Sequence, residues 1–397
     1  MLQNLTRREF SAMFLAAAMP RVDPKAVGVR DGVTQQMKEY LQSQIDAQAV
    51  PGAKVAASRH GKVFLELFLG TYCDQNARRL PCEASALHPF FSVSKMVSAT
   101  AVVMAVQDGL IALDAPVARY VPEFAAEGKG EITIRQCLTH SAGIPTAPPG
   151  KRADTPEHWK EFVAALCAKP LEWAPGTQTM YHGANGILIA AEAVRRKSDN
   201  QTWNAICRER IFTPLGLDTF TFVAPPPSAS VVLLPPPKQP IAPAKFYASS
   251  LGFPGAGCMS NISDLLKFLR FHTTGGQTGG KRLLEQKYWA EMHRDQFQDK
   301  PVPKAGKPGF ESWGLGMMVR GERPATGGLN WFGIHNQTAP RLYSHVGTNC
   351  AMGVGDPDQD LEIAFFVTDA PVTKEKAAEL RNKVTDIVYA NLESKSS

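Results

Sequence analysis

The sequence predicts an α/β fold in layers: a mostly antiparallel sheet flanked by helices, built from both chain ends, with a mainly helical domain inserted between them. Three observations predict it. A glycine-hinged pair of apolar runs lies near the N-terminus, strand-like runs return near the C-terminus, and the long stretch between them is apolar at helical spacing. The expected boundaries are 30–91 and 308–397 for the sheet domain, 92–307 for the helical domain and 1–29 for an N-terminal extension.

The elements follow in order. Thr6-Arg7-Arg8-Glu9-Phe10, ahead of the apolar Met13 to Ala18, has two readings. It is either a capping box opening a short amphipathic helix or a twin-arginine export signal, and the apolar part, cut short by Pro20 and Arg21, favours the helix. Val33, Met37, Tyr40, Leu41 and Ile45 recur at helical spacing, and Val50-Pro51-Gly52 ends that helix. Ala53 to Ser58 and Lys62 to Leu69, hinged at His60-Gly61, predict an antiparallel hairpin.

Helical patterns then run from Lys95 to Gln107, from Ile132 through Leu138, from Glu157 to Cys167, from Ala184 to Arg196 and from Asn261 to Phe271, with a short helix near Val117 to Tyr120. Residues 224–243 carry Pro225-Pro226-Pro227 and Pro235-Pro236-Pro237, which predicts a stiff, extended surface connection and not a folded element. Strand character resumes at Trp313 to Val319, Arg341 to Val346, Ala351 to Val354 and Leu361 to Val367, and a helix from Lys374 to Leu392 closes the chain.

Composition narrows the function classes. Of 397 residues, 44% are hydrophobic and 20% charged, enough for a large core. The net charge of +6 comes from 43 basic and 37 acidic side chains scattered without a basic block, so no nucleic-acid partner is expected. No apolar run approaches the roughly 20 residues that a membrane span needs. Seven cysteines without close pairing, and nine histidines without ligand spacing, lead to an expectation of reduced thiols, no metal and no cofactor. A cytoplasmic location is expected, with periplasmic export by the twin-arginine reading as the alternative.

The chemistry centres on Ser92-Val93-Ser94-Lys95. Pro89, Phe90 and Phe91 form an apolar approach that stops at Ser92, and apolar residues continue at helical spacing after Lys95. On the first turn of a helix, a hydroxyl and an amine three residues apart share a face, which suits a serine nucleophile beside its own proton acceptor. An N-cap serine with a solvated lysine is the other reading. Tyr181 precedes a helix, so its hydroxyl can point back into a cleft, and His345-Val346-Gly347 lies where the sheet resumes.

Taken as an ordered series, these pieces resemble the serine hydrolases of the class C beta-lactamase superfamily, which includes penicillin-binding DD-peptidases, a group of carboxylesterases (family VIII), D-amino-acid amidases and an acyltransferase. The series is the hinged hairpin, Phe90 or Phe91 running into Ser92 and Lys95, Asp108-Gly109 to Pro116-Val117, Leu138-Thr139-His140-Ser141-Ala142-Gly143, Pro175-Gly176 leading to Tyr181, Pro214-Leu215-Gly216-Leu217, Gly255-Ala256-Gly257, and His345-x-Gly347. It spans about residues 35 to 390.

The resemblance implies a beta-lactamase or DD-peptidase-like fold and a catalytic trio of Ser92, Lys95 and Tyr181. It also implies an oxyanion hole formed by the backbone N–H groups of Ser92 and Thr348. His345, Gly347, His182, Asn185 and Trp313 are the candidate substrate-binding residues, and His140 is expected to pin the loop behind the site. Two departures point to neutral esters. Tyr181-His182-Gly183 stands where the family commonly has Tyr-x-Asn, and His345 stands where lactamases carry the lysine that pairs with a substrate carboxylate. The expected partner is therefore a small-molecule ester of short to medium acyl chain, cleaved by a serine carboxylesterase with possible transfer to alcohols. A beta-lactamase or a D-stereospecific peptidase or amidase is the alternative.

Overall fold

A computed structural model describes residues 18–76, 78–145, 155–181, 183, 185–226, 228–233, 252–304, 309–323, 339–348, 351–368 and 373–393. Its centre is an eight-stranded sheet. Seven strands form the path: β1 (Gly52–Arg59), β2 (Lys62–Asp74), β3 (Arg79–Pro81), β4 (Met318–Val319), β5 (Tyr343–Gly347), β6 (Ala351–Asp356) and β7 (Leu361–Thr368). Their order is β3-β2-β1-β7-β6-β5-β4, antiparallel throughout. β1 pairs with β7 without interruption from Gly52↔Thr368 to Arg59↔Leu361, so the two ends of the chain meet in the middle of one sheet.

β1 and β7 are buried along their whole lengths, which requires cover on both faces. Alternation divides their side chains. Val55, Ile363 and Phe365 pack with Met37 and Leu41 of helix α1 (Val33–Asp46) and with Val384 and Val388 of the C-terminal helix Lys374–Ala390. Ala56, Ala364 and Phe366 face the other way, toward Phe268 and Leu269 of the helix Ile262–Thr273 and toward Val97 of helix α2 (Ser94–Gln107). Burying each such large apolar side chain stabilises the fold by about 1.5–3 kcal/mol. The hairpin turns at His60 and Gly61, whose φ values of 54° and 72° are both left-handed, as a two-residue turn with the twist of the strands demands.

Most expected helices appear within a residue or two of their sequence limits, including Pro156–Cys167 and Asn185–Arg196. Three expectations need correction. The helix anticipated from Ile132 is only Ile134–Leu138, because the Thr133 and Gln136 side chains close a capping box that starts it late. The strand anticipated from Trp313 to Val319 is reduced to Met318–Val319. Gly314 N–H bonds to the Met317 carbonyl at 2.9 Å, and Gly316 adopts φ 75°, so the chain turns back before it pairs.

The third correction concerns the proline-rich connection. Within it, Val231 and Val232 are buried, and Val232–Leu233 pairs with the end of β2, because an apolar Val-Val-Leu run between the proline triplets can complete the sheet edge. Pro227 and residues 234–243, like the segment 1–17 with Arg7 and Arg8, lie outside the described residues. Among the described residues no helix is long and apolar enough to cross a membrane.

Candidate active site

Ser92 sits in a 3₁₀ turn, Phe91–Val93, that leads directly into α2. That helix has no polar face, and it is buried from Ser94 through Ala105. Ser92 therefore stands at the end of a rod fixed on all sides by the core. Phe91, just before it, holds φ 47°, a left-handed conformation that costs a bulky residue on the order of 1–3 kcal/mol. Its ring is buried with Tyr72, Ala86 and Val232, which keeps the turn in that shape.

Lys95 lies one turn on and is only 1% exposed. Its Nζ is 2.8 Å from Ser92 Oγ and donates to the Gly255 carbonyl at 3.0 Å. Burial holds its amine down to about 7 from the ordinary 10.5. The carbonyl that receives Lys95 is itself anchored to α2. Ser98 Oγ donates to the Pro254 carbonyl at 2.6 Å and accepts from Trp203 Nε1 at 3.1 Å, while Ser94 Oγ accepts from the Cys258 N–H at 3.0 Å.

Tyr181 Oη donates to Ser92 Oγ at 2.6 Å, so phenol, alcohol and amine meet at one oxygen. The tyrosine is 40% exposed overall, yet its hydroxyl end is turned inward against Ser92. Desolvation of that end pushes the phenol above its ordinary 10, with the Ser92 hydrogen bond acting in the opposite direction. The ring is held from behind. His140, whose φ is 57° and whose carbonyl accepts the Met180 N–H at 3.0 Å, places its imidazole 4.6 Å from the phenol ring. Trp313 stacks on Tyr181 at 6.1 Å and 19°, and meets His140 edge-on at 4.4 Å.

The end of β5 closes against the same turn. Gly347 approaches Phe90 so closely that a methyl group on it would overlap the Phe90 carbonyl oxygen. This contact brings Thr348, exposed and next in the chain, beside the Phe90–Ser92 segment. The Ser92 N–H belongs to a first helical turn, where backbone donors lack intrahelical partners.

The other candidates fall differently. His345 is 1% exposed, its Nδ1 donates to the Val346 carbonyl at 2.9 Å, and its ring lies 6.2 Å from the Tyr181 ring. Burial and the nearby Lys95 amine hold the imidazole down at about 3, so it stands as a neutral ring behind the phenol. Trp313 is fully buried, with its ring stacked 6.1 Å from that of Tyr181. Asn185 is 3% exposed and its amide donates to the Pro145 carbonyl at 2.5 Å, so it ties helix to loop. His182 lies outside the described residues. Sequence reasoning missed the Gly255 carbonyl as the anchor of Lys95; its signal is the Pro254-Gly255-Ala256-Gly257 run, which brings backbone close to α2. It also missed the link between Glu311 and the Tyr181 segment, where the Glu311 N–H donates to Thr179 Oγ1 at 2.8 Å.

Residues 33–385 match the family model described as Beta-lactamase. The chain belongs to the beta-lactamase family. Members of this superfamily are serine hydrolases, with esterases among them. A curated beta-lactamase from Yersinia enterocolitica is 29% identical over 227 residues, covering 57% of this chain and 56% of that one. Esterase EstB from Burkholderia gladioli is 30% identical over 202 residues, covering 46% and 49%. The chain thus spans about half the length of the curated relatives it matches. The crystal structure of a family VIII carboxylesterase superimposes with a TM-score of 0.70 at 22% identity, covering 92% of this chain and 99% of that one, which establishes a shared fold.

Proposed function

We propose that this protein is a serine carboxylesterase that cleaves esters of short to medium acyl chain through an acyl-enzyme on Ser92. The observation that carries the reading is the meeting of Tyr181 Oη and Lys95 Nζ on one serine oxygen, at 2.6 and 2.8 Å. A serine hydroxyl needs a base to attack a carbonyl. Lys95, held down to about 7, has a lone pair for the serine proton at neutral pH. Tyr181, pushed above its ordinary value, keeps its proton and donates it toward Ser92 Oγ. We therefore assign Lys95 as the base of acylation and Tyr181 as the proton carrier.

As Ser92 Oγ forms its bond to the acyl carbon, its proton passes to Lys95 and the carbonyl electrons move onto oxygen. The N–H groups of Ser92 and Thr348 are assigned to that oxyanion. When the intermediate collapses, the bond to the alcohol oxygen breaks and the leaving alkoxide takes a proton from Tyr181, which is resupplied by Lys95. Water then attacks the acyl-enzyme along the same proton route, releasing the acid and restoring the Ser92 hydroxyl; an alcohol in its place would give a transferred ester.

Neutral esters are favoured over beta-lactams because His345 offers no cation to a substrate carboxylate. The EstB relative and the family VIII carboxylesterase of like fold support the same choice. The test compares p-nitrophenyl acetate and butyrate with a chromogenic cephalosporin. Fast ester and slow cephalosporin turnover is expected, and the reverse ratio overturns the ester reading. A fluorophosphonate probe should label the parent and leave Ser92→Ala unlabelled; equal labelling removes Ser92 as nucleophile.

A further inference from the structure

The loop that receives Lys95 is tied to α2 on both sides of the contact. Ahead of the Gly255 carbonyl, Ser98 Oγ donates to the Pro254 carbonyl at 2.6 Å; behind it, the Cys258 N–H donates to Ser94 Oγ at 3.0 Å. Ser98 is fully buried one turn beyond Lys95, and the buried Trp203 brings its indole Nε1 to the same hydroxyl at 3.1 Å. An indole N–H only donates and a carbonyl only accepts, so the hydrogen bonds run in one direction alone, from Trp203 to Ser98 to Pro254. Thr100, two residues on, shows the alternative. Its hydroxyl gives its proton to the Met96 carbonyl four residues back, at 2.7 Å, as a buried helical hydroxyl commonly does.

We infer that Ser98, with the Trp203 indole behind it, is a positioning residue for acylation: by fixing the Pro254 carbonyl it sets the neighbouring Gly255 carbonyl on Lys95, and so aims the lysine lone pair at Ser92. A neutral lysine amine turns about its last bond, and only one of its three directions carries the lone pair. With an N–H on the Gly255 carbonyl at 3.0 Å that rotation is fixed, while Ser92 Oγ stands 2.8 Å away. Glycine is the softest residue in backbone torsion, so the Gly255 carbonyl takes its direction from its neighbours. Pro254, whose ring locks φ, passes the Ser98 bond on to the next peptide plane with little play. Trp203 keeps the serine hydroxyl turned toward the loop and away from its own helix.

The inference rests on Lys95 as the base of acylation, and the experiment separates the two. Rates on p-nitrophenyl butyrate are measured from about pH 5 to 10 for the parent, Lys95→Met, Ser98→Ala, Trp203→Phe and the Ser98→Ala/Trp203→Phe double variant. Retained activity in Lys95→Met would remove the assignment and the inference with it. With Lys95→Met inactive, Ser98→Ala should lower kcat about tenfold on the alkaline plateau with KM little changed, and Trp203→Phe about threefold. The acid limb of kcat/KM should also move below its parent position near 7, because a carbonyl bonds an ammonium more strongly than an amine and its loosening favours the neutral form. Tyr181, whose ring centroid is 5.0 Å from Lys95 Nζ, keeps its proton through this range and His345 stays neutral, so the limb reports Lys95. The double variant should fall no further than Ser98→Ala, because the indole acts through that hydroxyl. A parent-like kcat in Ser98→Ala, a limb unmoved or raised, or multiplicative losses in the double variant overturns the inference. Should Ser98→Ala fail to fold, Trp203→Phe reads the same pair from the donor side, and a parent-like kcat there overturns it equally.

Discussion

Gly347 and the Phe90 carbonyl oxygen are in such close approach that no side chain fits between them. The β-carbon of an alanine would overlap that backbone oxygen and lie 3.1 Å from Ala351 Cβ. The atoms in the way are backbone atoms of Phe90 and the Ala351 methyl, so no flexible side chain can move aside. Gly347→Ala should therefore push the end of β5 away from Phe90–Ser92, at a cost of about 1–3 kcal/mol in stability. Displacing Thr348 from Ser92 should also lower kcat at least about tenfold. Thermal denaturation and ester hydrolysis check the two effects, and parent values in both would show that the approach is not needed.

The pH dependence of kcat/KM follows from Lys95. The base must be neutral to take the serine proton, so activity grows as pH rises through the lysine's folded-state value of about 7, not through 10.5. No alkaline loss is expected below the ordinary phenol range, since Tyr181 is shifted upward. A profile on p-nitrophenyl butyrate, corrected for spontaneous hydrolysis, should show an acid limb centred near 7. A flat profile from about pH 5 to 9 would exclude an ionising base of this kind.

Tyr181→Phe isolates the phenol oxygen. The ring that rests on Trp313 and His140 is retained, so folding should be unaffected, while Ser92 loses the 2.6 Å hydrogen bond and its proton carrier. A loss of about 10²–10⁴ in kcat, with KM changed only a fewfold, is expected for removing one acid–base group. Stopped-flow acylation measured alongside steady-state turnover would show which half of the cycle suffers.

How far these features could be read in advance depends on how local their causes are. The α2 helix and the β1–β2 hairpin were legible because periodicity and the His60-Gly61 turn are written in neighbouring residues. Ser92 and Lys95 share one turn of helix, so their pairing followed from spacing. What was illegible depends on contacts between distant segments. The Asn185 amide meets the Pro145 carbonyl, a loop partner 40 residues away that spacing does not announce. The burial of His345, which holds its imidazole down, likewise comes from packing of distant segments. The Gly255 carbonyl is backbone and so invisible to side-chain reasoning, although 160 residues from Lys95 it completes that lysine's surroundings. The turn at Gly316 likewise answers to α2, whose Ala99 leaves no room for a side chain there.

Lys95 also carries a stability consequence opposite in sign to its catalytic value. Its folded pKa of about 7 lies below the 10.5 of an unfolded lysine, so between those values the unfolded chain binds the extra proton. Stability therefore rises with pH across that window, and at and below neutral pH the buried amine holds the fold down by an amount on the order of a few kcal/mol. Lys95→Met removes the ionisable group and keeps the packing length, although it leaves the Gly255 carbonyl without its donor, which returns about 1–3 kcal/mol. The variant should be inactive and yet at least as stable as the parent at pH 6, with its relative advantage shrinking as pH climbs toward 10. Denaturation at several pH values reads this directly. A methionine variant whose stability relative to the parent does not change with pH would mean that Lys95 titrates as an ordinary, solvated amine, and the assignment of the acylation base would fall with it.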